Sequence, residues 1–214
     1  MRILIFGDSI TQGFFDSRGG WANRLANDYH KKILEDLNGS WAEVFNMGVS
    51  GDTVQDILDR IKDESEARRW REDKVTIVVS VGINDALLKD NKADSDEYAF
   101  QEKYETLIDI VTKISDTCLF VGLSAVDEKL TNPYDASTSG KQYLNNRINL
   151  FEDCIKQACA LKKVPFVPVH DMFIGQLDGK QSLLADGLHP DEAGHSLLYE
   201  IIAPEIASII KSKD

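Results

Sequence analysis

Five residues of this chain have the chemical types that acyl transfer to a serine hydroxyl requires. They offer a nucleophile, two hydrogen-bond donors for a developing oxyanion, an acid that can orient a base, and the base itself. In sequence order they are Ser9, Gly51, Asn84, Asp186 and His189. Each lies in a short polar segment that, taken by itself, is more often an ordinary turn or helix cap. The ordered set of four segments is what favours catalysis.

The first segment, Gly7-Asp8-Ser9-Ile10, directly follows an apolar run at the N-terminus. A turn from strand to helix there would expose the Ser9 hydroxyl and aim backbone N–H groups at the same point. The alternative is an ordinary turn with Asp8 and Ser9 as caps. A phosphate-binding loop is disfavoured because neither Gly-Lys-Ser/Thr nor Gly-x-Gly-x-x-Gly is present. Gly-x-Ser-x-Gly is also missing around Ser9, so the sequence does not predict the nucleophile elbow of the α/β-hydrolases.

The last segment, Asp186-Gly187-Leu188-His189-Pro190, contains the candidate base. A spacing of three can place its carboxylate and imidazole on one turn, with the carboxylate on Nδ1–H and Nε2 facing Ser9. Its proline is expected in the first turn of the helix that follows. The rival base is His170 at the end of the fifth predicted strand. Its neighbour Asp171 should point away from it, because adjacent side chains diverge on a strand.

Two middle segments can supply the oxyanion donors. Gly51 follows the predicted strand Val44–Met47, and a glycine lets the backbone approach a ligand closely with its N–H free to donate. Asn84 follows the predicted strand Val75–Val81, from which its side-chain amide can donate. The plainer interpretations are a turn glycine before a helix that starts near Thr53, and a turn asparagine.

Five short apolar runs alternate with amphipathic helical patterns, which predicts an α/β fold with a parallel sheet and right-handed crossovers. The runs are Ile3–Phe6, Val44–Met47, Val75–Val81, Leu119–Leu123 and Val164–Val169. Ligands of open α/β sheets bind outside the carboxyl ends of the strands, and all four polar segments are expected to follow strand ends. One shared site is therefore predicted at one edge of the sheet. Two long loops, Leu87–Glu97 and Ala125–Lys141, are expected to be binding loops.

Length and composition favour one domain, which we place at residues 1–214. Of the 214 residues 43% are apolar, and the net charge is −12. This acidic balance disfavours nucleic acid and anionic lipid as partners. No apolar run approaches the roughly 20 residues of a membrane span, and the N-terminal run is shorter than the ~7–15 residues of a secretory leader. We therefore expect a cytoplasmic protein without membrane insertion.

The cysteines and histidines predict neither a disulfide framework nor a metal centre. The three cysteines are Cys118, Cys154 and Cys159, an odd number. Without export signals an odd count argues against paired disulfides. No Cys/His cluster has zinc-ligand spacing. We expect no metal and no cofactor.

The four polar segments, in this order, resemble those of the GDSL esterase group, also called the SGNH hydrolases. The likeness runs from Gly7 to Pro190 and so spans nearly the whole chain. The first segment has isoleucine where the group has leucine, a change in a packing residue only. The resemblance implies roles for five positions. Ser9 is the nucleophile and, through its N–H, an oxyanion donor with Gly51 and Asn84, while Asp186 and His189 complete the triad.

The same resemblance implies a fold and an activity. The fold is a flavodoxin-like, three-layer α/β/α sandwich with strand order 2-1-3-4-5. The activity is that of a serine carboxylic ester hydrolase, and the family allows acetylated sugars, short aryl or alkyl esters, lysophospholipids and thioesters as substrates. Among these, the acidic surface and the lack of a hydrophobic lid in the sequence favour a small, neutral, short-acyl ester. The alternatives are a thioesterase or a lysophospholipase using the same site, or a binding module that keeps the fold without turnover. Phe14, Phe15 and Trp21 are candidates for lining the pocket, with a core role expected for at least one of them.

Overall fold

A computed structural model describes residues 1–39, 41–93, 95–134, 137, 139–177 and 182–211. The described residues form eight strands and eight helices. The strands are β1 (Arg2–Gly7), β2 (Glu43–Gly48), β3 (Val75–Ser80), β4 (Leu88–Lys89), β5 (Lys92–Ala93), β6 (Thr117–Val121), β7 (Lys141–Gln142) and β8 (Phe166–Val167). The helices are α1 (Ser9–Gln12), α2 (Gly20–Glu35), α3 (Val54–Ala67), α4 (Glu97–Ile114), α5 (Glu128–Thr131), α6 (Asn145–Lys162), α7 (His170–Leu177) and α8 (Glu192–Lys211).

The central sheet has five parallel strands in the order β2-β1-β3-β6-β8. Counted along these five strands alone, this is the predicted order 2-1-3-4-5. The fifth strand is shorter than the predicted Val164–Val169, because only Phe166–Val167 pairs with β6. Pro165 and Pro168 flank those two residues, and a proline has no N–H for the ladder.

Helices cover both faces of the sheet and bury its strands. α2 packs against α8, and α8 also contacts β6 and β8, while α3, α4 and α6 pack side by side. The strand β1 lies between β2 and β3, and its residues Ile3, Leu4, Ile5 and Phe6 are fully buried. The expected three-layer α/β/α sandwich is confirmed. None of the helices in the described residues is both long and apolar enough to cross a membrane.

The two long predicted loops contain structure that the sequence did not predict. β4 pairs antiparallel with both β5 and β7, which forms a second, three-stranded sheet. The predicted loops Leu87–Glu97 and Ala125–Lys141 are thus tied to each other. Within them, positions 94, 135, 136 and 138 lie outside the described residues. Two-residue strands carry too little alternation to be recognised from a sequence pattern.

The region before the last helix differs from the prediction in two respects. The segment from Asp186 to Pro190 does not follow a strand end, because α7 lies between β8 and this segment. Pro190 is not in the first turn of α8, so that expectation was wrong. The helix begins at Glu192, and Asp191 caps it by accepting hydrogen bonds from the N–H groups of Ala193 at 2.9 Å and Gly194 at 3.0 Å. An aspartate cap satisfies two N–H groups that a proline start would leave free.

Candidate active site

Ser9 lies where β1 passes directly into a short helix. β1 ends at Gly7, and Ser9 is the first residue of α1. Asp8 caps this helix, since its carboxylate accepts a hydrogen bond from the N–H of Ile10 at 2.9 Å. The N–H of a first helical residue has no acceptor within its helix. Both the hydroxyl and the N–H of Ser9 therefore lie at the carboxyl edge of the sheet.

A line of short contacts joins Ser9 to the segment before α8. The Oγ atom of Ser9 lies 2.9 Å from Nε2 of His189. On the other side of the same ring, Nδ1 lies 2.8 Å from Oδ2 of Asp186. The structure thus brings together three of the five predicted site residues, although Asp186, the nearer partner in sequence, lies 177 positions after Ser9 (186 minus 9).

Both oxygens of Asp186 are occupied. Oδ1 accepts hydrogen bonds from the backbone N–H groups of Leu188 at 3.0 Å and His189 at 2.8 Å. Oδ2 accepts from the hydroxyl of Tyr134 at 2.6 Å in addition to the His189 ring. Burial alone would raise the pKa of Asp186, but these hydrogen bonds outweigh it and lower the pKa below its ordinary value. The carboxylate is therefore held ionised beside the imidazole.

The two predicted oxyanion donors follow the strands on either side of β1. Asn84 donates one amide hydrogen from Nδ2 to the carbonyl of Asp52 at 3.0 Å, and its Oδ1 accepts from the hydroxyl of Tyr143 at 3.3 Å. Gly51 is exposed and has φ +87°, a conformation that side-chain-bearing residues adopt with strain. Next to it, the N–H of Ser50 donates to Oε1 of Gln12 at 3.1 Å, which ties this turn to α1.

His170 has no contact with Ser9 in the structure. It is the first residue of α7, is only 4% exposed, and neither ring nitrogen has a hydrogen-bond partner among the described residues. Asp171 does not point away as predicted, because its Oδ1 lies 3.6 Å from Nδ1 of His170. The prediction treated both residues as part of a strand, whereas they begin a helix. Of the two candidate bases, His189 is the one next to Ser9.

Two exposed aromatic rings stand beside His189. Phe14 and Phe15 are 44% and 55% exposed, and their ring centroids lie 6.1 and 5.6 Å from that of the imidazole. Trp21 is 1% exposed and belongs to the core. Large apolar rings left in solvent next to a candidate nucleophile suit contact with a bound ligand.

Three acidic residues next to the site were not recognised as a group from the sequence. They are Asp8, Asp52 and Asp85, and each directly precedes or follows a predicted site residue in the sequence. Burial, with a smaller contribution from the charges of Asp52 and Asp85, raises the pKa of Asp8 to about 7. Burial also raises the pKa of Asp85 to about 6, although its carboxylate accepts a hydrogen bond from the N–H of Val54 at 3.0 Å. Asp52 is paired with Arg60 at 2.7 Å. Perturbed carboxyl groups of this kind cluster at functional sites.

Tyr134 and Tyr143 are also residues that sequence reasoning missed. Their hydroxyls reach Asp186 and Asn84, respectively. The one indication in the sequence is their position in or just after the long loop Ala125–Lys141, which is predicted to be a binding loop. Nothing in the local sequence indicates which atoms they contact.

A family model decides the relationship of the chain to known proteins. The model of the GDSL-like lipase/acylhydrolase family matches residues 5–197, which is most of the chain. The chain belongs to this family. The expected enzyme class, a hydrolase of carboxylic esters, is confirmed by this membership of the GDSL-like family. No curated protein matches the sequence.

Solved structures of similar proteins agree with the fold of this GDSL-like chain. The lipase/acylhydrolase from Enterococcus faecalis is 26% identical, with a TM-score of 0.71 over 96% of this chain and 94% of that one. The acetyl xylan esterase AlAXEase is 19% identical, with a TM-score of 0.70 over 96% and 100% of the two chains. Axe2, an acetylxylan esterase from Geobacillus stearothermophilus, is 20% identical, with a TM-score of 0.69 over 96% and 93%. At these identities, the two esterases bear on the fold alone.

Proposed function

We propose that the chain hydrolyses a short-acyl carboxylic ester through an acyl-enzyme on Ser9. The observation that carries this proposal is the unbroken line of contacts from Ser9 through His189 to Asp186, at 2.9 and 2.8 Å. Because these distances are those of formed hydrogen bonds, the hydroxyl is already paired with a base whose other nitrogen is held by a carboxylate.

The reaction takes two steps. The Oγ of Ser9 attacks the ester carbonyl while Nε2 of His189 takes the hydroxyl proton, and that proton passes to the leaving alcohol when the C–O bond breaks. A water molecule then attacks the acyl group on Ser9, with His189 again accepting a proton, and releases the acid. Asp186 keeps Nδ1–H oriented and stabilises the imidazolium form throughout.

The oxyanion of each tetrahedral intermediate would be held by the N–H groups of Ser9 and Gly51 and by the amide of Asn84. An asparagine amide has two N–H donors. In Asn84 one of them is bonded to the Asp52 carbonyl at 3.0 Å, which leaves the second for substrate. Preorganised donors of this kind favour the transition state over the ground state.

The surroundings of His189 favour a neutral ester with a hydrophilic leaving group. A groove of about 860 Å³ starts at Phe15 and runs beside the start of α8. Its described lining includes three carboxylates and one arginine, namely Asp191, Glu192, Glu200 and Arg18. The guanidinium of Arg18 is paired with the Glu192 carboxylate, with a nitrogen-to-oxygen distance of 2.7 Å. This excess of negative charge repels phosphate groups, and the whole chain has a net charge of −12. Lysophospholipids and phosphate-bearing thioesters are thereby disfavoured.

An acetylated sugar fits this description best among the substrates considered. An exposed phenyl ring can cover the apolar face of a pyranose, while the polar side chains of the groove can bind its hydroxyls. The two acetyl xylan esterases with the same fold support the assignment by analogy. A short acyl group and an uncharged leaving group are the two features on which the proposal depends.

A substrate panel tests the proposal. p-Nitrophenyl esters from acetate to octanoate vary the acyl chain alone, and an acetylated xylo-oligosaccharide, a lysophosphatidylcholine and an acyl-CoA vary the leaving group. We expect kcat/KM to fall as the acyl chain lengthens and to be highest, among the natural substrates, for the acetylated sugar. A preference for the lysophospholipid or the thioester would replace the proposed substrate with that alternative.

A second test addresses turnover itself. Ser9→Ala and His189→Ala should each lower kcat by about 10⁴-fold or more and leave the fold intact, because the two residues act as a unit. A fluorophosphonate probe should label the unmodified protein and not Ser9→Ala. A protein that neither reacts with the probe nor hydrolyses any ester of the panel would be the catalytically silent binding module.

The extent of the domain and its location are part of the same proposal. One continuous hydrophobic cluster includes residues from Ile3 to Ile206, which supports a single domain over residues 1–214. The cytoplasmic location stays a prediction from the N-terminal sequence.

A further inference from the structure

Two buried tyrosines lie side by side behind the candidate site. The stretches 131–134 and 139–143 run next to each other, because the N–H of Tyr134 donates to the carbonyl of Lys141 at 2.8 Å and the N–H of Tyr143 to that of Thr131 at 3.0 Å. The tyrosine rings meet edge to face, with centroids 5.8 Å apart and an interplanar angle of 89°. Tyr134 is 9% exposed and Tyr143 is 2% exposed. The pair is therefore a fixed part of the packing.

Each hydroxyl of this pair ends on a different half of the site. Tyr134 donates to Oδ2 of Asp186 at 2.6 Å, the same oxygen that contacts the His189 ring. Tyr143 donates to Oδ1 of Asn84 at 3.3 Å. The base side and the oxyanion side are thus linked through two rings in contact.

Close packing holds these tyrosines against the segment that carries the base. The N–H of Asp127 donates to the carbonyl of Gly187 at 2.8 Å. A Cβ atom on Gly187 would lie 2.5 Å from the Cβ of Leu130, and Gly187 also has φ +87°. Only glycine permits both the backbone conformation and this approach. The start of the tyrosine-bearing region is consequently held against Gly187, the residue directly after Asp186.

We propose that Tyr134 and Tyr143 are a coupled pair of positioning residues, Tyr134 for the carboxylate that orients the base and Tyr143 for the amide that binds the oxyanion. The proposal rests on the proposed function, because it assigns Asp186 and Asn84 the roles given there. Neither tyrosine needs to touch the substrate.

The two hydroxyls should act by different physical routes. Tyr134 shares Oδ2 with the His189 ring and draws electron density from it, which limits how strongly the carboxylate favours the protonated imidazole. Burial and the nearby Asp186 raise the pKa of Tyr134, so its hydroxyl stays a donor. Tyr143 holds the amide oxygen of Asn84 and so keeps the Nδ2 donors facing the site. Burial raises the pKa of Tyr143 to about 12.

Few other titratable groups act on the pair among the described residues. Asp186, which is paired with His189, acts on both tyrosines from the segment before α8, and Asp8 acts on Tyr143 from the start of α1. None of these belongs to the stretches that carry the tyrosines. A change in the pH profile after removal of the Tyr134 hydroxyl would therefore report on the contact with Asp186.

The test compares three tyrosine-to-phenylalanine variants in the full chain. Tyr134→Phe and Tyr143→Phe each remove one bonded hydroxyl and keep the ring. Tyr104→Phe is the matched control, because Tyr104 is fully buried and its hydroxyl has no hydrogen-bond partner among the described residues. Initial rates with p-nitrophenyl acetate are measured from pH 5 to pH 9, normalised to active sites counted with the fluorophosphonate probe.

The expected results differ between the two positions. Tyr134→Phe should move the acid limb of the kcat/KM profile to higher pH by about half a pH unit, because the carboxylate is then free to favour the protonated imidazole. Tyr143→Phe should lower kcat by about tenfold with KM within about twofold and leave the acid limb in place, since the amide acts in the transition state. Tyr104→Phe should match the unmodified enzyme in both respects.

Two results would overturn the inference. One is a Tyr134→Phe profile that superimposes on that of the Tyr104→Phe control, and the other is a kcat for Tyr143→Phe that equals the control. The Ser9→Ala variant distinguishes this failure from failure of the proposed function. If Ser9→Ala retains turnover, the assignment of the active site is wrong. If Ser9→Ala is inactive and the tyrosine variants behave like the control, only the positioning roles are wrong.

Discussion

The buried carboxyl group of Asp8 should make the fold less stable as the pH rises from about 4 to about 7. Asp8 is 3% exposed and precedes Ser9 directly, and burial raises its pKa from the ordinary 3.8 to about 7. The native state therefore keeps this proton in a pH range in which the unfolded chain has already lost it. Under linkage, the stability associated with the protonated form is complete below about pH 3.8 and lost as the pH rises to about 7.

The size of the effect follows from the two pKa values. Each tenfold change in proton affinity corresponds to about 1.4 kcal/mol, so a rise from 3.8 to about 7 amounts to about 4 kcal/mol of unfolding free energy. Asp8→Asn removes the titration and keeps an oxygen that can accept the hydrogen bond from the N–H of Ile10. Relative to the unmodified protein, the variant should gain stability with increasing pH, by about 3 kcal/mol between pH 5 and pH 8.

Urea unfolding of both proteins at pH 5, 6, 7 and 8 measures this difference. The gain should grow up to about pH 7 and then level off. Asp85→Asn is the matched comparison, because the pKa of Asp85 is raised only to about 6 and its gain should level off at correspondingly lower pH. A stability difference that does not change with pH, or a variant less stable than the unmodified protein at pH 8, would refute the reasoning.

Three further predictions concern the site. Asn84→Ala should lower kcat by on the order of 10²–10³-fold with KM little changed. A thermal melt should also show reduced stability, since the Asp52 carbonyl loses its donor. A lowered melting temperature with unchanged kcat would show that Asn84 has a structural role alone. His170→Ala should leave kcat within roughly tenfold of the unmodified enzyme, because a histidine without contact to Ser9 transfers no proton. A variant that is folded but inactive would show that His170 is the base. Phe15→Ala should raise KM for an acetylated sugar more than for ethyl acetate. Equal effects on the two KM values would show that the Phe15 ring does not bind the sugar.

Much of the scaffold could be predicted because the main strands are buried on both faces. Runs such as Ile3–Phe6 are apolar throughout, as is typical of strands buried on both faces. The predicted helix start near Thr53 also agrees with the structure, where Thr53 and Asp56 form a capping box. The edge strand was predicted too long, because its two prolines interrupt pairing without interrupting the apolar pattern.

The contacts of Tyr134 and Tyr143 with the two sides of the site could not be predicted, since each joins residues far apart in sequence through a single hydrogen bond. Tyr134 and Asp186 are 52 positions apart, and Tyr143 and Asn84 are 59 apart. No periodicity marks a residue whose hydroxyl meets one particular oxygen. The raised pKa of Asp8 is likewise a property of the packed structure, because it arises mainly from burial.

The two halves of the candidate site are positioned by different means. Because β1 lies between β2 and β3, the turns that follow these three strands are neighbours, and the order of the sheet alone brings Ser9, Gly51 and Asn84 to one edge. Asp186 and His189 have no such support, since α7 separates them from the last strand. Their position depends on contacts with the region from α5 to β7, and β7 is itself held by β4 in the small sheet. A change that disrupts the small sheet should therefore displace the base while leaving the turns of Ser9 and Gly51 in place, so that reactivity towards a fluorophosphonate falls although the central fold persists.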